Sequence, residues 1–283
     1  MVEPFIGPEA LATGRLTRGQ LRWRYAPAQP RVYLPKDAVR TLSANTVAAW
    51  LWSGRRAVIA GRAAAALHGA KWVAADAPVE LIVKHGRRRP GIVMRDERIS
   101  PEEICVIGDL RVTTPLRTAL DLARFLPRDT AVAHLDALGA ATGVAAAEVL
   151  ELATRYPGLR GIRSARTALD LMDSGAQSPR ETWLRLLLID GGCPRPRTQI
   201  RVSDGFSEAF IDMGYDEPKI GLDYDGVHHA ANRPQYVYDI GRAELIERQD
   251  WLDIHVVAEH SRAFILHRVR EAFARRGYPP IST

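Results

Sequence analysis

One segment limits the possible folds of this chain more than any other. From Phe210 to Gly226 it reads Phe-Ile-Asp-Met-Gly-Tyr-Asp-Glu-Pro-Lys-Ile-Gly-Leu-Asp-Tyr-Asp-Gly. Tyr215-Asp-Glu-Pro218 is turn chemistry, and both flanks alternate with period two, the pattern of a hairpin with one face in a core. With Gly214 opposite Lys219 across a four-residue loop, Asp212 opposes Gly221. Asp212, Asp223 and Asp225 then share one face, while Ile211, Met213, Ile220, Leu222 and Tyr224 share the other. Diagonal positions on paired strands lie roughly 7–8 Å apart. Two carboxylates at about 7 Å repel by about 2.4 kcal/mol at an effective dielectric of about 20. Such a face is unfavourable unless a proton or a cation relieves it. A hard divalent ion on oxygen ligands does so directly. Bound Mg2+ or Mn2+ also activates water for phosphodiester hydrolysis. A hydrated edge hairpin is the alternative, and a five-residue loop would reverse the parity.

The surrounding sequence supplies further candidates. Ser178-Pro-Arg-Glu181 opens an apolar helix, placing Glu181 at its third position. Glu181 either reaches the metal from the helix start or closes a capping box on the backbone. His228, three residues past Asp225, is positioned to move a proton in hydrolysis or is an exposed loop histidine. Tyr236 to Gln249 reads as a helix and Trp251 to Val257 as a strand, extending the sheet beside the hairpin. Arg242 projects from that helix toward a phosphate, toward the acids, or toward neither.

Charge divides the 283 residues unevenly. Residues 1–175 carry 25 basic and 17 acidic side chains, and the remainder 14 and 16. A basic front half attracts polyanions; the alternative is a solvated arginine-rich surface. Near the start, Glu9 to Gly14 reads as a short helix, and Thr17 caps a second one running to Tyr25. That spacing suits a helix-turn-helix, with Arg18, Arg22 and Arg24 on the recognition helix and a wing strand beginning at Arg31. A packed helical hairpin is the other reading. The organisation expected is 1–40 winged helix-turn-helix, 41–143 small α/β domain, 144–175 helical connector and 176–283 an α/β domain with a mixed sheet. Cys105 and Cys193 build neither a disulfide framework nor a CxxC zinc site. No apolar run approaches a membrane span and no signal peptide is visible, so a cytoplasmic chain with reduced thiols is expected.

In order, these elements are a helix with Glu181, a strand with Asp212, a turn, a strand ending Asp223-Tyr-Asp225-Gly, then His228, a helix and a strand. That order resembles the PD-(D/E)XK nuclease superfamily, in its branch similar to very-short-patch-repair (Vsr) endonucleases, over about residues 176–283. The resemblance implies a restriction-endonuclease-like fold. It matches Asp212 and Asp223 to the metal-binding acids, His228 to the histidine after the glycine and Glu181 to the acid of the first helix. Asp225 stands where the usual lysine would be. Arg242 or His228 would then have to replace that cation, or the site is inactive. The front half resembles AbiEi-type antitoxins over about residues 5–140, carried by Thr114-Pro-Leu-Arg-Thr-Ala-Leu-Asp-Leu122. This implies promoter-DNA binding and a cognate toxin protein as a partner. The sequence expectation is therefore a metal-dependent DNA endonuclease targeted by a DNA-binding module; the alternative is a non-enzymatic regulator or antitoxin with a degenerate nuclease-like domain.

Overall fold

The computed structural model describes residues 3–84, 89–226 and 233–278. Among these the chain is α/β, with three sheets and eleven α-helices. It divides into two compact units, Met1–Met172 and Asp173–Thr283. No single helix among the described residues is long and apolar enough to cross a membrane.

The first unit begins with a three-stranded antiparallel sheet, β1 (Phe5–Ile6), β2 (Tyr25–Gln29) and β3 (Val32–Pro35), in the order β1-β3-β2. Helices α1 (Gly7–Ala12) and α2 (Arg18–Arg24) lie between β1 and β2 in the chain. α1 starts two residues earlier than the sequence suggests, because Pro8 fits the first helical turn, where its missing N–H costs nothing. Thr17 caps α2 through a reciprocal box with Gln20.

A mixed five-stranded sheet follows, formed by β4 (Val58–Ala60), β5 (Val79–Ile82), β6 (Ile92–Arg95), β7 (Ile104–Ile107) and β8 (Leu110–Thr113), in the order β6-β5-β4-β8-β7. Ile59, Leu81 and Val112 enter a core shared with α3 (Leu42–Trp52) and α4 (Gly61–Leu67). Helices α5 (Pro115–Phe125), α6 (Arg128–Thr142), α7 (Ala146–Thr154) and α8 (Ile162–Asp170) complete the unit. Thr114 caps α5 with Pro115 in its first turn.

The second unit is a four-stranded mixed sheet, β9 (Arg197–Ser203), β10 (Glu208–Tyr215), β11 (Ile220–Tyr224) and β12 (Leu252–Val256), in the order β12-β11-β10-β9. β11 and β12 run parallel, joined through α10 (Arg233–Arg248); the other pairs are antiparallel. α9 (Pro179–Asp190) and α11 (Arg262–Arg275) bury Leu184, Leu188, Ile265 and Val269 against Met213, Leu222, Ile254 and Val256. α10 covers Ile200, Val202, Ala209 and Ile211 with Leu245 and Ile246.

Candidate functional site

The acidic positions lie where β10 and β11 part. Pairing runs Tyr215 to Ile220, Gly214 to Gly221 and Met213 to Leu222. The turn therefore keeps four residues but sits one position further along, which shifts the register by two. Gly214 faces Gly221 rather than Lys219, and the turn is residues 216–219, with Lys219 at φ +49°. Tyr215 and Ile220 both bury in the core, which makes them the closing pair of the ladder in place of Gly214 and Lys219. One step beyond Met213–Leu222, this register sets Asp212 across from Asp223 rather than Gly221. There the side chains take over from the ladder. The Asp212 N–H donates to Asp223 Oδ1 at 2.8 Å, and the Tyr224 N–H donates to Asp212 Oδ2 at 2.9 Å.

The apolar residues do not all share a side as expected. Ile211 packs under α10, whereas Met213, Ile220 and Leu222 pack under α9 and α11. The alternation breaks at Asp212, next to Gln199 of β9, whose φ is +49°. Gly221 does leave space, and that space is filled. A Cβ there would lie 2.9 Å from Ile211 and 3.3 Å from Asp253 Oδ1.

β12 brings two groups that the motif reading passed over. Its register places Asp253 beside Gly221 and His255 beside Asp223. One ligand atom each from Asp223, Asp253 and His255 lies within 4.8 Å of the others. His255 Nε2 is 3.4 Å from Asp253, and its Nδ1 is 2.9 Å from Asp225 Oδ2. Asp225 thus joins through the imidazole, and its own N–H donates to the Val256 carbonyl at 2.8 Å. The signal was available, because Leu-Asp-Ile-His-Val alternates, which puts Asp253 and His255 on one side of a strand.

Arg242 meets the acids. It donates to Asp223 Oδ2 and, at 2.7 Å, to the Phe210 carbonyl, and lies 3.9 Å from Asp253. Glu181 is buried and its carboxylate accepts the Gln177 N–H at 2.8 Å, while Ser178 accepts the Glu181 N–H at 3.2 Å. It therefore satisfies the helix start, yet its charge still acts on Asp212. His228 lies outside the described residues.

One arginine does not neutralise this many acids. Burial, opposed by the Tyr224 N–H and reinforced by the Asp223 charge, pushes Asp212 up to about 7. Burial and then the Asp253 charge push Asp223 up to about 6. Burial also works against ionisation of Asp253, but the His255 hydrogen bond and charge overcome it and hold its pKa low. The hydrogen bond to Asp253 leads in raising His255 to about 9. Asp253 Oδ1 is buried without a hydrogen-bond partner among the described residues. An orphaned carboxylate oxygen on Asp253, grouped with Asp223 and His255 where burial already penalises the acids' charge, is a donor set that a hard divalent cation fits.

In the first unit, Arg18, Arg22 and Arg24 of α2 and Arg31 of the β2–β3 turn are all exposed. Arg31 takes φ +67°, and its carbonyl accepts the Gly7 N–H at 2.8 Å, tying the turn to α1. Arg22 lies over Trp23, which is 73% exposed, so α2 presents cations and an aromatic ring and buries no residue of its own.

Comparisons add little about chemistry. No protein-family model matches the chain, and no solved structure matches it. Two uncharacterised proteins of Mycobacterium tuberculosis, from strains CDC 1551 / Oshkosh and ATCC 25618 / H37Rv, are each 29% identical to it over 178 residues. The match covers 62% of this chain and spans 65% of the length of each relative.

Proposed function

We propose that this chain is a divalent-metal-dependent DNA endonuclease. Its second unit is read as a restriction-endonuclease-like domain, and α1, α2 and the β2–β3 hairpin as a winged helix-turn-helix that targets it. The observation that carries the reading is the convergence of Asp223, Asp253 and His255 at the parting of adjacent strands, with Asp212 bonded to Asp223 across the hairpin and burial pushing both of those aspartates toward protonation. Asp212 and Asp223 would hold Mg2+ or Mn2+, with Asp253 contributing its unpartnered oxygen. The metal would supply an activated water and charge stabilisation at the phosphorus. Around it, Arg242 supplies positive charge at Asp223, and His255 is held by Asp225, which stands in place of the motif lysine, and by Asp253, where a proton can be passed.

Supercoiled plasmid incubated with Mn2+ or Mg2+ tests this. Wild type is expected to nick or linearise it. Asp212→Ala and Asp223→Ala are expected to lose on the order of 100-fold or more of that activity, since each removes a direct ligand. Equal cleavage by all three proteins rejects the site. The second reading, a DNA-binding regulator or antitoxin with a degenerate nuclease-like domain, is favoured by one observation. Arg242 already sits on the Asp223 oxygen that a metal would use. It predicts salt-sensitive DNA binding with no cleavage under either metal, and a toxin protein as partner.

A further inference from the structure

We propose that the first unit carries a cleft for a nucleoside phosphate, formed by Arg56, Lys84, Arg98 and Arg111 above an apolar floor on one face of the five-stranded sheet. The strand register builds the floor. β4 pairs with β5 through Val58 and Ile82, and with β8 through Ile59 and Val112. Since Ile59, Leu81 and Val112 turn into the core under α3 and α4, Val58, Ile82 and Arg111 project to the opposite face. There Val58 and Ile82 pack with Ile99 and Ile104 of the segment that crosses this face. Between that segment and the strands lies a cleft of about 700 Å³. This falls within the roughly 300–1,000 Å³ of small-molecule sites.

The charge around the cleft is one-sided. All four cations are exposed, and none has an acidic partner among the described residues. Arg111 donates to the Arg56 carbonyl and Arg56 to the Ser53 carbonyl, each at 3.4 Å, contacts that orient the guanidinium groups without neutralising them. Of the two carboxylates at the cleft, Glu97 is held by Arg124 at 3.1 Å, which leaves only Asp96 against four positive groups. The rim is also fixed in advance. Buried Arg117 donates to the Arg98 carbonyl at 2.8 Å and to Glu103 at 2.6 Å, and the Tyr156 hydroxyl donates to the same Glu103. A preset rim reduces the ordering cost of binding.

An inorganic anion would fill only a fraction of this volume and leave the floor bare. A planar base over Val58 and Ile82, with a polyphosphate reaching the arginines, uses both surfaces, and guanidinium groups suit phosphate oxygens bidentately. The test is calorimetric titration of the full chain, in EDTA, with ATP, adenosine and inorganic phosphate. ATP is expected to bind about tenfold or more tighter than either fragment. The Arg56→Ala/Arg111→Ala double variant and, separately, Arg98→Glu are each expected to weaken it about tenfold or more. Thermal melting should match wild type, because these groups are exposed. Arg18→Ala/Arg22→Ala should bind ATP unchanged, which separates this cleft from the DNA-targeting reading. ATP binding no tighter than phosphate, or indifferent to both sets of variants, overturns the proposal. So does binding of a short single-stranded oligodeoxynucleotide through Arg56 and Arg111 without ATP binding, since the ligand would then be a strand.

Discussion

Asp212 and Asp223 each complete the other's strand, because each carboxylate accepts the N–H that the parting ladder leaves open. The same burial that makes those bonds useful makes ionisation costly. Asp212 rises from its ordinary 3.8 to about 7, so its protonated form is the one the fold favours. That contribution to stability is complete below about pH 3.8 and is lost as pH climbs through about 7. A metal must displace this proton, so Mn2+ affinity is expected to rise on the order of tenfold between about pH 6 and about pH 8, with proton release. Calorimetry in buffers of different ionisation enthalpy measures both; an affinity flat across that range contradicts the assignment. His255, raised from 6.5 to about 9, follows the same sign, and stability from its proton is lost as pH passes about 9. His255→Ala is expected to flatten the alkaline limb of a melting-temperature profile, while an unchanged limb would remove the imidazole from the network. The acids of the hairpin were legible as residue types in a period-two pattern. Ile211 was misplaced because strict alternation cannot register the break at Asp212, which depends on the neighbouring strand.

At the scale of elements, α5 joins an apolar stripe to a buried ionic cluster. Ala119, Leu120 and Ala123 pack inward, and so do Arg117 and Asp121. Arg117 bonds Asp121 at 3.1 Å and Glu103 at 2.6 Å, while Arg124 links Asp121 at 3.2 Å to Glu97 at 3.1 Å. Arg117→Ala leaves carboxylates buried without compensation and is expected to cost about 3–5 kcal/mol in urea unfolding. A loss under about 1 kcal/mol would mean the cluster relaxes into water. α2 is the opposite case, a helix held by its Thr17–Gln20 cap and presenting arginines outward. If those arginines meet phosphates, Arg18→Ala and Arg22→Ala should each flatten the log K against log salt slope for DNA binding by about 0.9. Slopes unchanged from wild type would assign DNA contact elsewhere. Helix starts at Thr17 and Ser178 were readable because a cap is a local event within four residues. The hairpin register was not, because Tyr215 and Ile220 are drawn into the ladder by a core that distant helices supply.

For the molecule as a whole, two compact units separate a basic, exposed arginine surface from a buried acidic cluster. The charge asymmetry was visible in composition, as was the succession of strands and helices. What the motif order left out was the chemistry carried by β12, although the strand itself was expected. Asp253 and His255 join the cluster because a parallel crossover through α10 lays β12 against β11 in a register that sets His255 beside Asp223, and that register depends on both strands together. The measurement that bears most directly on the central claim is an anomalous difference map from crystals of the protein grown with Mn2+. A peak about 2.2 Å from carboxylate oxygens of both Asp212 and Asp223 is the expected result. Their carboxylates still bound only to backbone N–H groups and Arg242, with no peak at saturating Mn2+, would contradict it.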